Sequence, residues 1–114
     1  MSHLIAQISP PDTNIHEIIK DPNPGCHHII HEIVISNANA AAKTYSLYHG
    51  KVVSGALGNT QSLGIDIAIA ANTSIQRITT IGWEVGSGEI FGVQSSVATD
   101  ITFTFYGILN EKDK

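Results

Sequence analysis

The pentapeptide Asp21-Pro22-Asn23-Pro24-Gly25 constrains this chain more than any other stretch. Two prolines and a glycine within five residues stop a helix and impose a turn. Nothing helical can therefore run from Asn14–Lys20 (NIHEIIK) into the apolar run that follows, Cys26 to Asn37 (CHHIIHEIVISN). On helical spacing Ile29, Ile30, Ile33, Val34 and Ile35 would cover more than one face, although an i, i+3, i+4 pattern remains. Pleated alternation gives a row of Ile29, Ile33 and Ile35 interrupted by His31. Neither pattern is clean. The β-branched content and the closing Ser36-Asn37-Ala38-Asn39 turn favour a strand.

The rest of the chain reads as further strands between turns. His3 to Ile8 alternates weakly and meets Ser9-Pro10-Pro11-Asp12, so residues 1–13 read as an edge strand or an arm, of a kind that reaches a neighbouring subunit. Lys43 to His49 (KTYSLYH) alternates and forms, across the Asn-Ala loop, an expected antiparallel pair with the histidine-bearing strand. Residues 50–61 are rich in Gly, Ser and Asn and read as a mobile surface loop. Ser62 to Ala70 (SLGIDIAIA) alternates almost perfectly. Ala71-Asn72-Thr73 turns the chain into a short strand at Ser74–Thr80, followed by Gly82-Trp83-Glu84-Val85.

Gly86-Ser87-Gly88 is a tight turn before Glu89–Ser95, where Ile90 is out of phase with Phe91 and Val93, which points to a bulge near Gly92. The last strand, Asp100 to Leu109, places Ile101, Phe103, Phe105 and Gly107 on one face and Thr102, Thr104, Tyr106 and Ile108 on the other. The polar residues 110–114 read as a frayed tail.

The sum is seven or eight short strands in one domain over residues 14–109: an all-β antiparallel β-sandwich, jelly-roll-like. With 42% hydrophobic and 14% charged residues in 114, the composition suits a single modest core. The size scaling of folded proteins gives about 6,000 Å² of exposed surface. A net charge of −4 with six scattered Lys and Arg offers no basic stripe, so nucleic acid is not an expected partner. No apolar run approaches the length of about 20 residues that spans a bilayer, and the N-terminus lacks a basic region followed by a long apolar one. Neither a membrane nor export is expected. The lone Cys26 has no partner for an intrachain disulfide and no CxxC spacing for zinc.

The histidines are the nearest approach to a chemical motif. His28-x-x-His31-Glu32 matches neither HExxH nor its inverse, which need histidines at i and i+4 on a helix. In a strand, His27 and His31 would share a face about 13 Å apart, too far for one ion. A cross-strand site of His31 with His16 or His49, or a ring of histidines on a trimer axis, are the remaining ways to a metal or pH-sensitive cluster. Asp66 and Asp100 have no paired carboxylate nearby, and there is no GxSxG elbow or phosphate-cradling glycine loop. No catalytic, metal or cofactor site is expected. Tyr45, Tyr48, Trp83 and Tyr106 read first as core and interface residues and second as a stacking platform for a glycan. Together with His27 and His31 they are the candidate contact residues.

Five stretches carry a resemblance: NIHEII before a Pro/Gly turn, IVISNANAAAKTYSLYHG, IDIAIAANTSIQRIT, GWEVGSGEIFGVQSS and the ending ITFTFYGI. In this order they resemble small β-sandwich virion proteins of tailed bacteriophages, over about residues 14–109. The turn DPNPGCHH departs from the Val-Pro-Ala-Gly usual there, and Ser87 stands in place of an acidic residue. The resemblance implies a non-enzymatic virion component assembled in the host cytoplasm, a capsid decoration or cement protein forming a symmetric homo-oligomer. A trimer contacting the major capsid protein is expected. The alternatives are a carbohydrate-binding or adaptor module of a tail or fibre and, last, a small cupin-like metal-binding protein.

Overall fold

Almost every turn in the chain carries it from one layer to the other. The computed structural model describes residues 3–20, 26–53, 56–57, 62–86 and 89–112. Among these residues nine strands follow in order: β1 (His3–Ile8), β2 (His16–Lys20), β3 (Cys26–Asn37), β4 (Lys43–Val53), β5 (Ala56–Leu57), β6 (Ser62–Ile69), β7 (Thr73–Gly86), β8 (Glu89–Ser95) and β9 (Ile101–Lys112). Sheet A has the order β1-β9-β3-β7. Sheet B has the order β2-β8-β4, with β6 on the other side of β4, and the two-residue β5 pairs with the end of β4. All pairings are antiparallel. Successive long strands alternate between the sheets except where β4 turns back into β6, which is the winding of a jelly roll. The fold class is thus the β-sandwich that alternation and punctuation indicate.

The Asn-Ala loop is where the expected pairing fails. β3 and β4 lie in opposite sheets, so residues 38–42 form a corner and not a hairpin. Side-chain chemistry builds that corner. Asn37, 2% exposed, donates from Nδ2 to the carbonyl oxygens of Ala41, Ile69 and Ala70 at 3.1–3.3 Å, and its Oδ1 accepts the Asn39 amide at 2.9 Å. Asn39 Nδ2 in turn donates to Asp100 Oδ2 at 2.7 Å, so three inter-sheet connections are tied at one end of the sandwich.

Both sheets close over a core of Ile30, Ile33, Ile35, Val85, Ile101, Phe103 and Phe105 from sheet A against Ile19, Tyr45, Leu47, Ile69, Phe91 and Val93 from sheet B. Phe91 meets Phe105 edge-on with ring centroids 5.6 Å apart. Tyr45 meets Phe103 in the same way at 6.1 Å, geometries that add to the burial itself. The surface is 6148 Å², close to the value the chain length implies.

A bulge explains why β3 gave no clean period. Its register shifts between Ile30 and Glu32 against both neighbours, and against β9 His31 is the extra residue. The core row is therefore Ile30, Ile33, Ile35, and not the expected Ile29, Ile33, Ile35, because one inserted residue reverses the facing of everything before it. Opposite His31, β7 inserts residues 79–82, which is why Ser74–Thr80 and Gly82–Val85 looked like separate segments and belong to one strand in two registers.

The irregularity expected near Gly92 lies in its neighbour: β8 pairs with β4 without a shift, and β2 carries the break between Glu17 and Ile19. Ile90 is out of phase because β8 is central and buried from Ile90 to Val93, on both faces. Four strands reach 11 to 14 residues and are not short. β4 continues to Val53 into the expected loop, and β9 continues to Lys112 into the expected tail. The turns at residues 21–25 and 87–88 and half of the expected loop at 50–61 fall outside the described residues.

Candidate functional site

Once inward positions are assigned to the core, the alternate positions of sheet A on the Glu32–Ser36 side of the His31 bulge form an outer face in three rows. The first is Leu4, Tyr106, Glu32 and Ile78; the second is Gln7, Thr104, Val34 and Gln76; the third ends the face with Ser9, Thr102, Ser36 and Ser74. Most of the polar members are tied to one another. Gln7 Nε2 donates to Thr104 Oγ1 at 2.9 Å, and Gln76 Nε2 donates to Glu32 Oε2 at 2.8 Å. The hydroxyls of Ser9 and Thr102 meet at 2.7 Å, and those of Ser36 and Ser74 at 2.8 Å. Glu32 is the one charged side chain of the twelve. The apolar ends of the first row are open, with Leu4 58% and Ile78 66% exposed.

The outer face of sheet B is recessed at one end. Thr13, Thr44, Ser46, Gln94 and Ser96, with Tyr45 and Ser95 behind them, line a groove of about 300 Å³. Ser46 and Gln94 are opposed across β4 and β8. Gln94 is held at both ends of its amide: Tyr48 donates its hydroxyl to Oε1 at 2.6 Å, and Nε2 donates to the Thr13 carbonyl at 3.0 Å. Ser96 Oγ accepts the Thr44 amide at 3.0 Å.

The candidate aromatics do not share a platform. Tyr45, 2% exposed, is a core residue that faces the opposite sheet in phase with Leu47. Trp83 stands opposite Ile30 on the inner face and packs beside Phe91 with centroids 6.3 Å apart. Tyr48, 8% exposed, lies on the outer face of sheet B and serves there to orient Gln94. Tyr106 is half-buried in the first row of sheet A.

The histidines do not converge either. His31 is half-buried on the bulge of sheet A, whereas His16 and His49 belong to sheet B with β8 between their strands. His16 Nε2 lies 2.8 Å from Asp12 Oδ1; His49 Nε2 lies 3.2 Å from Glu89 Oε1, its ring against Phe91. The Asp12 carboxyl accepts the Asn14 amide as well as meeting His16, and these hydrogen bonds hold it below its usual value. The expected shared face of His27 and His31 rests on His27, whose side chain lies outside the described residues. Among the described residues no three His, Cys, Asp or Glu side chains gather as metal ligands.

Sequence reasoning missed Leu4 and Ile78 as the open apolar positions and Gln94 as the clamped amide. A signal existed for Ile78: in SIQRI it alternates in phase with polar Ser74 and Gln76, so an outward isoleucine followed from the period alone. No family model, curated protein or solved structure matches the chain.

Proposed function

We propose that this chain is a non-enzymatic structural subunit of a tailed-phage virion, a capsid decoration or cement protein that assembles as a symmetric ring, a trimer, on the shell. The observation that carries the reading is the outer face of sheet A. Twelve side chains in register present one charge, and hydrogen bonds to neighbours fix most of the polar ones before any partner arrives. Charge depletion is the compositional mark of an interface centre, and fixed rotamers lower the ordering cost of association. A prearranged surface of this kind, spread over four strands, suits a protein partner better than a small molecule, which needs concavity. The order of sequence landmarks supplies the virion context, and the jelly roll is compatible with it, although that fold hosts many functions.

The test is co-sedimentation of the purified protein with shells of the major capsid protein that lack it. The reading expects saturable attachment at a fixed ratio, lost in Ile78→Asp. Shells that take up none of the protein contradict it.

A further inference from the structure

We infer that the groove on the outer face of sheet B is a second binding site, built for an uncharged, hydroxyl-rich ligand: a single sugar or a short saccharide. The inference does not depend on the virion assignment, since it rests on a different face of the molecule.

The lining decides the ligand class by exclusion. Among the described residues no charged side chain borders the groove, so neither an anion nor a metal cation finds a counter-charge from them. Hydroxyls and an amide line it in place of the apolar walls that hold drug-like ligands, and its volume of about 300 Å³ lies at the lower end of small-molecule sites. An added peptide strand needs a free sheet edge. The floor strands have none, because β8 lies between β2 and β4, and β4 between β8 and β6.

What the groove does offer is hydrogen bonding in donor–acceptor pairs. The Gln94 amide carries two donors and two acceptor lone pairs, and its bonds to Tyr48 and Thr13 use one of each. A fixed N–H and a fixed lone pair remain, a match for two neighbouring hydroxyls on a sugar ring. The Thr13 and Thr44 hydroxyls have no partner among the described residues, and Ser96, whose oxygen accepts the Thr44 amide, keeps its proton to donate. The clamp means that Gln94 is already oriented before the ligand binds. Trp83 and Tyr45, the aromatics that first suggested glycan binding, take no part through their rings.

The experiment is an amide-resolved NMR titration of the full chain with neutral monosaccharides and disaccharides up to tens of millimolar. Glucuronate, inorganic phosphate and a Ser/Thr-rich peptide serve as the competing classes. The inference expects at least one neutral sugar to shift the amides of Thr13, Thr44, Ser46, Gln94 and Ser96 saturably. Thr44→Val, which keeps the shape and removes the hydroxyl, should weaken that binding about tenfold, as loss of one hydrogen bond does. Gln94→Ala should weaken it further with the remaining spectrum unchanged. No saturable shift from any neutral sugar overturns the inference. So do shifts that persist unaltered in both variants, or a groove that responds only to the anions or to the peptide.

Discussion

Gly107 tolerates no side chain. A Cβ there would fall on the carbonyl oxygen of Ile29 and lie 2.8 Å from Ile5 Cδ1, because β9 presses against β3 beside the His31 bulge. The obstructing atom is backbone and cannot step aside, so Gly107→Ala should lose about 3 kcal/mol or more in urea unfolding. Thr99 is the opposite case. This β-branched residue is held at φ 64° in the left-handed region, with its amide donated to the Pro10 carbonyl at 2.8 Å. Thr99→Gly should relieve that strain and raise stability by about 1 kcal/mol, after allowing for the looser unfolded chain. A destabilised Thr99→Gly would mean that the threonine side chain holds something in place.

Asp12 links a residue to pH. Its carboxyl is held below the usual 3.8 first by the Asn14 amide and then by His16. A depressed carboxylate contributes stability above its unfolded value, and the contribution disappears as pH falls from 3.8 through the folded value. In a carbon-detected titration Asp12 should titrate below 3.8, and His16→Ala should move it only part of the way back, since the larger cause remains. Full return to the ordinary value would reverse that ranking.

At the scale of elements, the corner made by Asn37 shows what the sequence did and did not disclose. Strong alternation in Ser62–Ile69 and Ile101–Ile108 made two strands legible at once, and the turn residues marked most of the boundaries. Which sheet each strand joins was hidden, because Asn-Ala loops suit a hairpin and a corner equally. The Asn37 side chain, which meets the carbonyls of Ala41, Ile69 and Ala70, decides between them. Asn37→Ala leaves the buried Ile69 carbonyl without its donor and removes the two part-buried bonds, and should cost about 2 kcal/mol in chemical denaturation. A loss below a few tenths would show that the corner does not depend on it. The same limit hid the core row of β3. One inserted residue at His31 reversed the facing of the isoleucines, and nothing local to CHHIIHEIVISN marks where a bulge falls. For the outer faces, alternation located the exposed side of β9, but the three rows exist only once four distant strands are in register.

For the whole molecule, the two outer faces are chemically unlike. The three rows of sheet A at Glu32–Ser36 carry one charged side chain, with Leu4 and Ile78 open at their rims, whereas sheet B presents a hydroxyl-lined groove. The first suits another protein surface, and a single charge placed there should disturb assembly without disturbing the fold, since substitutions at such exposed positions fall within about 0.5 kcal/mol. Leu4→Asp and Ile78→Asp should therefore keep the wild-type thermal midpoint while losing self-association. An interface able to hold a stable complex buries about 800 Å² on each partner. Four strands spaced about 4.8 Å apart and five residues of about 3.3 Å each give the three rows roughly 300 Å², so the interface must extend past them along the strands.

The mass of the native assembly tests this most directly. Native mass spectrometry and sedimentation equilibrium at tens of micromolar should find a closed symmetric oligomer, a trimer, that falls to the single 12.2 kDa chain in Ile78→Asp. A wild-type protein that stays monomeric over that range, or an oligomer that Leu4→Asp and Ile78→Asp leave intact, would contradict the role assigned to the face of sheet A.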